Sequence, residues 1–192
     1  PNPATVWTAR IGWEWVESRV KSIVVYCGSS DESRPVYLEA AGGMGRALVA
    51  HGQTLIFGGG RTGMMGAVAD AALQAGGKVI GILPRQFDTP ALAHPGLTEM
   101  ILVDSMNQRK ALMAEKGDAF VALPGGFGTL EELFEILTWA QIGMHAKPVG
   151  VLNVQGYFDP LLSLIEHARQ EGFIYSVHRA LLACESTPDA LL

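Results

Sequence analysis

The stretch LPGGFGTLEELFE, residues 123–135, puts three glycines and a threonine directly ahead of two adjacent glutamates. Gly125, Gly126 and Gly128 let a backbone approach a ligand closely, and Thr129 can cap a helix while offering its hydroxyl. A glycine turn that opens a helix is an anion cradle, because the first N–H groups have no partner inside the helix and the dipole favours negative charge. Taken alone, Glu131 and Glu132 have a plainer explanation: acidic residues in a first helical turn stabilise the dipole by about 0.3 to 1 kcal/mol. That explanation is insufficient once a phosphate shares the turn, since two carboxylates and a phosphate repel one another strongly in a partly dry pocket. A cation must then be close. SMNQRKALM, residues 105–113, offers Arg109 and Lys110 near a predicted helix start, where positive charge is mildly unfavourable for the dipole. They are either solvated surface charges or partners of the cradle; the planar fork of Arg109 suits a phosphate or a carboxylate.

A second glycine loop, FGGGRTGMMG at 57–66, contains Gly58, Gly60 and Gly63, a literal GxGxxG between a predicted strand and a helix. Its context argues against a dinucleotide. The acidic residue expected roughly 20 positions later, at the end of the next strand, is replaced by GILPRQ, and the loop follows the second strand rather than the first. No Lys-Ser or Lys-Thr pair follows to make a phosphate-binding P-loop. What remains is a tight turn or a phosphate or sugar contact through backbone N–H groups. From this loop and from YCGSS at 26–30, the candidate contacts are Gly59, Gly60 and Ser29.

The elements that must hold these groups are regular. SIVVYCG, TLIFGGG, KVIGILP, TEMILVD, AFVALPG and KPVGVLN are short apolar runs, rich in β-branched residues and closed by Gly, Pro, Asp or Asn. Between them lie the helical stretches YLEAAGGMGRALVAHG, GMMGAVADAALQAGG, MNQRKALMAEKG and TLEELFEILTWAQIG, with YFDPLLSLIEHARQEG after the last run. This alternation predicts an α/β fold: a single-domain, doubly wound, Rossmann-like parallel sheet with helices on both faces and right-handed crossovers. Ligands then bind beyond the carboxyl ends of the strands. The long, proline-containing segment from Pro84 to Leu97 is expected to be a lid or pocket wall.

The 192 residues, 48% hydrophobic and 17% charged, suffice for one core. Residues 1–20, rich in tryptophan without a clear period, read as an N-terminal extension, and 21–192 as the nucleotide-binding domain. A net charge of -5 leaves no general footprint for a nucleic-acid polymer. No apolar run approaches the roughly 18 residues that cross a bilayer, so a cytoplasmic protein without a membrane partner is expected. Cys27 and Cys184 lie too far apart in sequence for a CxxC half-site and read as reduced, partly buried thiols. The five histidines show no metal-binding spacing, and no cofactor is expected.

GGGRTGMMG, SMNQRK and PGGFGTLEE, followed by LTWAQIGMHAKPVGVLN, together resemble the Lonely Guy (LOG) family of cytokinin riboside 5′-monophosphate phosphoribohydrolases, over about Lys21 to Leu182. Members have often carried a lysine decarboxylase label, which no residue context suited to pyridoxal phosphate supports here. The resemblance implies hydrolysis of the N-glycosidic bond of an adenosine-type 5′-monophosphate to free base and ribose 5-phosphate. It places the family's catalytic pair on Arg109 and Glu132. It puts the 5′-phosphate on Gly126, Gly128 and Thr129, beside Gly125, Phe127 and Leu130, with Lys110 and Glu131 nearby and Thr138 on the helical stripe of Glu131. The chemistry agrees, because breaking a ribosyl bond builds positive charge on the sugar that a carboxylate can stabilise, or the carboxylate can activate water. One departure is that many relatives carry a substrate-contacting Glu where this chain has Ala91 or a neighbour; either that contact is absent, or Glu99 or His94 replaces it.

A non-catalytic nucleotide or molybdenum-cofactor carrier is the main alternative, since relatives of the fold include such carriers; a dinucleotide oxidoreductase is a third. The joint presence of Arg109 and Glu132 separates the first from the second, because binding a phosphate needs the arginine and gains nothing evident from the glutamate. A homodimer or larger assembly is expected, since Ile136 and Trp139 extend the apolar surface of TLEELFEILTWAQIG beyond the stripe of Leu130, Leu133, Phe134 and Leu137.

Overall fold

The computed structural model describes residues 20–192, so the expected extension lies outside the described residues except for Val20. The six apolar runs form β1 (Ser22–Tyr26), β2 (Thr54–Phe57), β3 (Val79–Pro84), β4 (Glu99–Val103), β5 (Ala119–Ala122) and β6 (Val149–Leu152), and a short β7 (Ala183–Glu185) follows. The helices are α1 (Pro35–Ala50), α2 (Gly63–Gln74), α3 (Met106–Lys116), α4 (Phe127–Gln141), α5 (Asp159–Gln170) and the single-turn α6 (Pro188–Leu191). One sheet of seven strands in the order β4-β3-β2-β1-β5-β6-β7 contains only parallel pairs.

Alternation of side chains along each strand divides the core in two. Ile23, Val25 and Cys27 of β1 and Leu55 and Phe57 of β2 pack with α1 and α2, and Leu191 of α6 joins that side. Val24, Tyr26, Ile56 and Ile82 face α3, α4 and α5 through Met113, Leu133, Ile136 and Leu162. Helices therefore cover both faces, which is why the central strands read as continuous apolar runs.

The chain grows outward from β1 to β4 on one side and then returns, so that β5 lies against the other edge of β1, with Ile23 opposite Ala119 and Tyr26 opposite Ala122. Loops leaving β1 and β5 at their carboxyl ends part there, and the crevice between them is where doubly wound sheets bind ligands. The three glycine and serine loops are tied at this edge. Gly28 N–H donates to Pro124 O at 3.0 Å and Met65 N–H to Gly28 O at 3.2 Å. The Thr62 hydroxyl donates to Ser29 O at 2.7 Å.

Two elements escape the sequence pattern for a physical reason. β7 has three residues and α6 four, too short for either periodicity to register. A larger difference concerns α4, which begins at Phe127 with Gly126 as its N-cap. Thr129 is consequently its third residue and not its cap, and Glu131 and Glu132 fall beyond the first turn.

Candidate functional site

Arg109 is fixed first by the start of its own helix. Ser105 caps α3, its hydroxyl accepting from Gln108 N–H at 3.2 Å, while the Gln108 side chain reaches back to Asp104 N–H at 2.9 Å. This reciprocal arrangement resembles a capping box and sets the first turn rigidly. The next residue, Arg109, points into the protein and is only 5% exposed. Its Nε donates to Ile82 O at 3.1 Å and its Nη1 to Glu132 Oε1 at 2.5 Å. Gly58 explains part of the GGG run: a Cβ there would lie 2.1 Å from Arg109 Nη2, so only glycine leaves room for the guanidinium.

Glu132 is as buried as its partner, at 6% exposure. Burial pushes its carboxyl above the ordinary glutamate range, and the charge and hydrogen bond of Arg109 act against that rise. The same two groups influence their neighbours. Burial, then the charge of Glu132, raises both the Tyr26 hydroxyl and the Cys27 thiol, with Arg109 opposing. Glu131 differs sharply from Glu132. Its side chain is 55% exposed and receives Lys110 Nζ, which also donates to Glu135 at 3.0 Å. Its hydrogen bond, ahead of other causes, raises the pKa of Lys110.

At Gly125 the turn lies against the Thr129 side chain and the Gly28 backbone at once. A Cβ would meet Thr129 Oγ1 at 2.1 Å and Gly28 N at 2.8 Å, so this position admits only glycine. Gly126, Phe127 and Gly128 are exposed at the head of α4, and Thr129 is buried beneath them.

These groups border a cavity of about 840 Å³, a size suited to a small-molecule ligand. Of the residues expected from sequence, Arg109, Glu132, Gly125, Gly126, Phe127, Gly128, Thr129, Glu131, Ser29 and Gly60 line it. Lys110, Leu130, Thr138 and Gly59 are not among its lining residues. Lys110 is taken up by the two carboxylates beside it. Leu130 packs on the core between sheet and α4, and the Thr138 hydroxyl turns back to Phe134 O at 2.7 Å. Gly59 is buried with a positive φ of 78° beside Leu83 and Met100.

Neither proposed substitute for the missing glutamate reaches the cavity wall. Glu99 opens β4, at the opposite end of the sheet from the site. The buried His94 accepts Gly96 N–H on Nδ1 at 3.2 Å, so its Nε2–H donates to Asp70 Oδ1 at 3.1 Å. The segment from Pro84 to Leu97 does form a wall, through Pro84, Phe87 and Leu92, anchored by Arg61 N–H on Leu92 O at 2.9 Å. With Leu83, Met65 and Met106 these make an apolar side to the cavity.

Sequence reasoning missed Glu32, Arg34, Tyr37 and Tyr157, which also line the cavity. In the sequence Tyr37 and Tyr157 each open a helical stretch, where nothing distinguishes a wall residue from a helical one. Proximity to YCGSS was the available signal for Glu32 and Arg34. Among the described residues no three His, Cys, Asp or Glu side chains are grouped to hold a metal ion, and no helix is long and apolar enough to cross a membrane.

Residues 65–192 match a family model described as possible lysine decarboxylase. The chain is 47% identical over 193 residues to a cytokinin riboside 5′-monophosphate phosphoribohydrolase of Rhodococcoides fascians, covering 100% of this chain and 95% of that protein. It is 46% identical over 177 residues to an enzyme of the same name from Arabidopsis thaliana, covering 92% of this chain and 81% of the other. Among solved structures it is similar to a molybdenum cofactor binding protein from Rippkaea orientalis, with a TM-score of 0.68, 26% identity, and coverage of 90% of this chain and 93% of that one.

Proposed function

The chain belongs to the family of cytokinin riboside 5′-monophosphate phosphoribohydrolases, and from that premise we propose that it hydrolyses such nucleotides, and AMP, to free base and ribose 5-phosphate at the Arg109–Glu132 site. The observation that carries this reading is the buried ion pair itself. Two charges removed from water cost more than surface ones and are retained where they serve the site. Burial raises the pKa of Glu132, and the charge and hydrogen bond of Arg109 oppose that rise.

In the reaction the bond from the anomeric carbon to the base nitrogen breaks, its electron pair leaves with the base, and water supplies the oxygen to the sugar and a proton to the base. Positive charge grows on the ribosyl ring as the base departs, and the Glu132 carboxylate opposes that charge or accepts the proton of the attacking water. The N–H groups at the head of α4 hold the 5′-phosphate. The apolar wall of Leu83, Phe87 and Leu92 suits an apolar substituent on the adenine. Lys110 neutralises Glu131 and so limits repulsion between that carboxylate and the phosphate. A homodimer forms through the exposed apolar side of α4.

Substitution separates the two glutamates. Glu132→Gln keeps size and removes charge, so it is expected to lower turnover about 100-fold or more while nucleotide still binds. Glu131→Gln is expected to leave turnover within about threefold, the scale of losing one exposed ion pair. Arg109→Ala should lose both binding and turnover, because a buried carboxylate is then left without its counter-charge. Steady-state hydrolysis with calorimetric binding checks all three. Near-normal turnover by folded Glu132→Gln assigns the chemistry to another group, whereas a wild-type protein that binds nucleotide without turnover favours a ligand-binding role, as in the molybdenum cofactor binding protein of the same fold.

A further inference from the structure

The Tyr157 hydroxyl donates to Gly125 O at 2.6 Å, across 32 residues of sequence. Its acceptor belongs to the peptide unit between Gly125 and Gly126, in the middle of the anion cradle. With glycine on both sides, that peptide meets little steric resistance from side chains to turning over. Gly126 has φ of -88° and nothing within 4 Å of the position its Cβ would take. Reversing the peptide carries Gly126 toward positive φ, which glycine enters without steric cost. The carbonyl and N–H of one peptide point in opposite directions, so reversal exchanges a donor for an acceptor on that side of the turn.

Tyr157 is itself held with care. Its ring meets Tyr37 edge-on at 5.8 Å and Phe158 at 5.1 Å. The backbone before it passes through two left-handed residues in succession, Gln155 with φ of 53° and Gly156 with φ of 71°. A non-glycine residue in that region is uncommon and persists where its surroundings enforce it. Here Asn153 does so: its N–H donates to Glu185 O at 2.7 Å, its Oδ1 accepts Phe158 N–H at 2.8 Å, and its Nδ2 donates to Asp159 Oδ1 at 2.7 Å. The segment after β6, which carries no catalytic group, is thus built to aim one hydroxyl at one carbonyl.

We propose that Tyr157 is a positioning residue for the phosphate cradle: its hydroxyl holds the Gly125–Gly126 peptide with the carbonyl turned away from the anion, so that the turn meets a phosphate with N–H donors only. This rests on the phosphoribohydrolase reading for the identity of the anion. Tyr157→Phe keeps the ring contacts and removes the hydroxyl. Losing one hydrogen bond corresponds to about a three- to tenfold change in an equilibrium constant. The expected result is that ribose 5-phosphate, titrated calorimetrically, binds about three- to tenfold more weakly, that KM for AMP rises in parallel, and that kcat and the affinity for adenine stay within about twofold.

Unchanged affinity for ribose 5-phosphate overturns the proposal. So does an equal loss for adenine and ribose 5-phosphate, which marks a hydroxyl that shapes the whole pocket. Retained adenine binding also certifies the fold of the variant. A wild-type protein that releases no adenine from AMP defeats the proposed reaction separately, and the titrations still decide the role of Tyr157.

Discussion

At Glu132 two influences of opposite sign meet. Burial favours the neutral acid, Arg109 at 2.5 Å favours the carboxylate, and the balance leaves the pKa raised. A catalytic carboxylate must be ionised, so activity is absent below that raised value and appears as pH increases through it. The acid limb of kcat/KM, which reports the free enzyme, is therefore expected above the ordinary glutamate value of about 4.3. Glu131→Gln should keep the limb, and Glu132→Gln should lose it along with most of the rate. A limb at the ordinary glutamate value, or one that persists in Glu132→Gln, assigns the titration to another group. The geometry also removes the simplest alternative for these residues, since carboxylates beyond the first turn of α4 gain little from its dipole.

Among the elements, α4 was the hardest to read. Its apolar and charged residues were legible; the residues alone left Arg109 either a surface charge or a partner of the cradle, and the family resemblance is what paired it with Glu132, the glutamate it meets in the structure. The cap lies three residues ahead of Thr129, which looks like one, because Gly126 fills that position without a side chain. Sequence periodicity also assigned the wrong surplus. Ile136 is buried in the core with Leu133, and Trp139 packs against it. The apolar groups left in solvent are Phe127, 95% exposed, with Phe134 and Ile142. Phe127 and Phe134, seven residues apart, share one face of the helix. Such a cluster on a surface marks an interface, and a homodimer is the expected occupant. Light scattering at micromolar concentration should give twice the chain mass, and Phe134→Glu with Ile142→Glu should give a monomer; a wild-type monomer contradicts it. Tyr157 and Tyr37 were illegible for a different reason: their importance lies in contacts between loops far apart in sequence, which no local pattern records.

For the whole molecule, strand order decides where chemistry can occur. Parallel strands with helices on both faces were readable from the alternation of apolar runs, but the position of β5 beside β1 was not, and it is this neighbour relation that opens the crevice. The cavity takes the cradle from the loop after β5, the carboxylate from α4, the arginine from α3 and its apolar wall from the segment after β3. Molybdenum cofactor binding proteins share this frame, so the frame alone does not choose between carrying a ligand and cleaving it. What chooses is whether a bond breaks, and only in a nucleotide that fills the cradle. The decisive measurement is product analysis after incubating the wild-type protein with AMP, isopentenyladenosine 5′-monophosphate and adenosine. Free base and ribose 5-phosphate in equal amounts from the two monophosphates, with adenosine intact, is the predicted result. Intact monophosphates, or adenosine cleaved as fast as AMP, would contradict it.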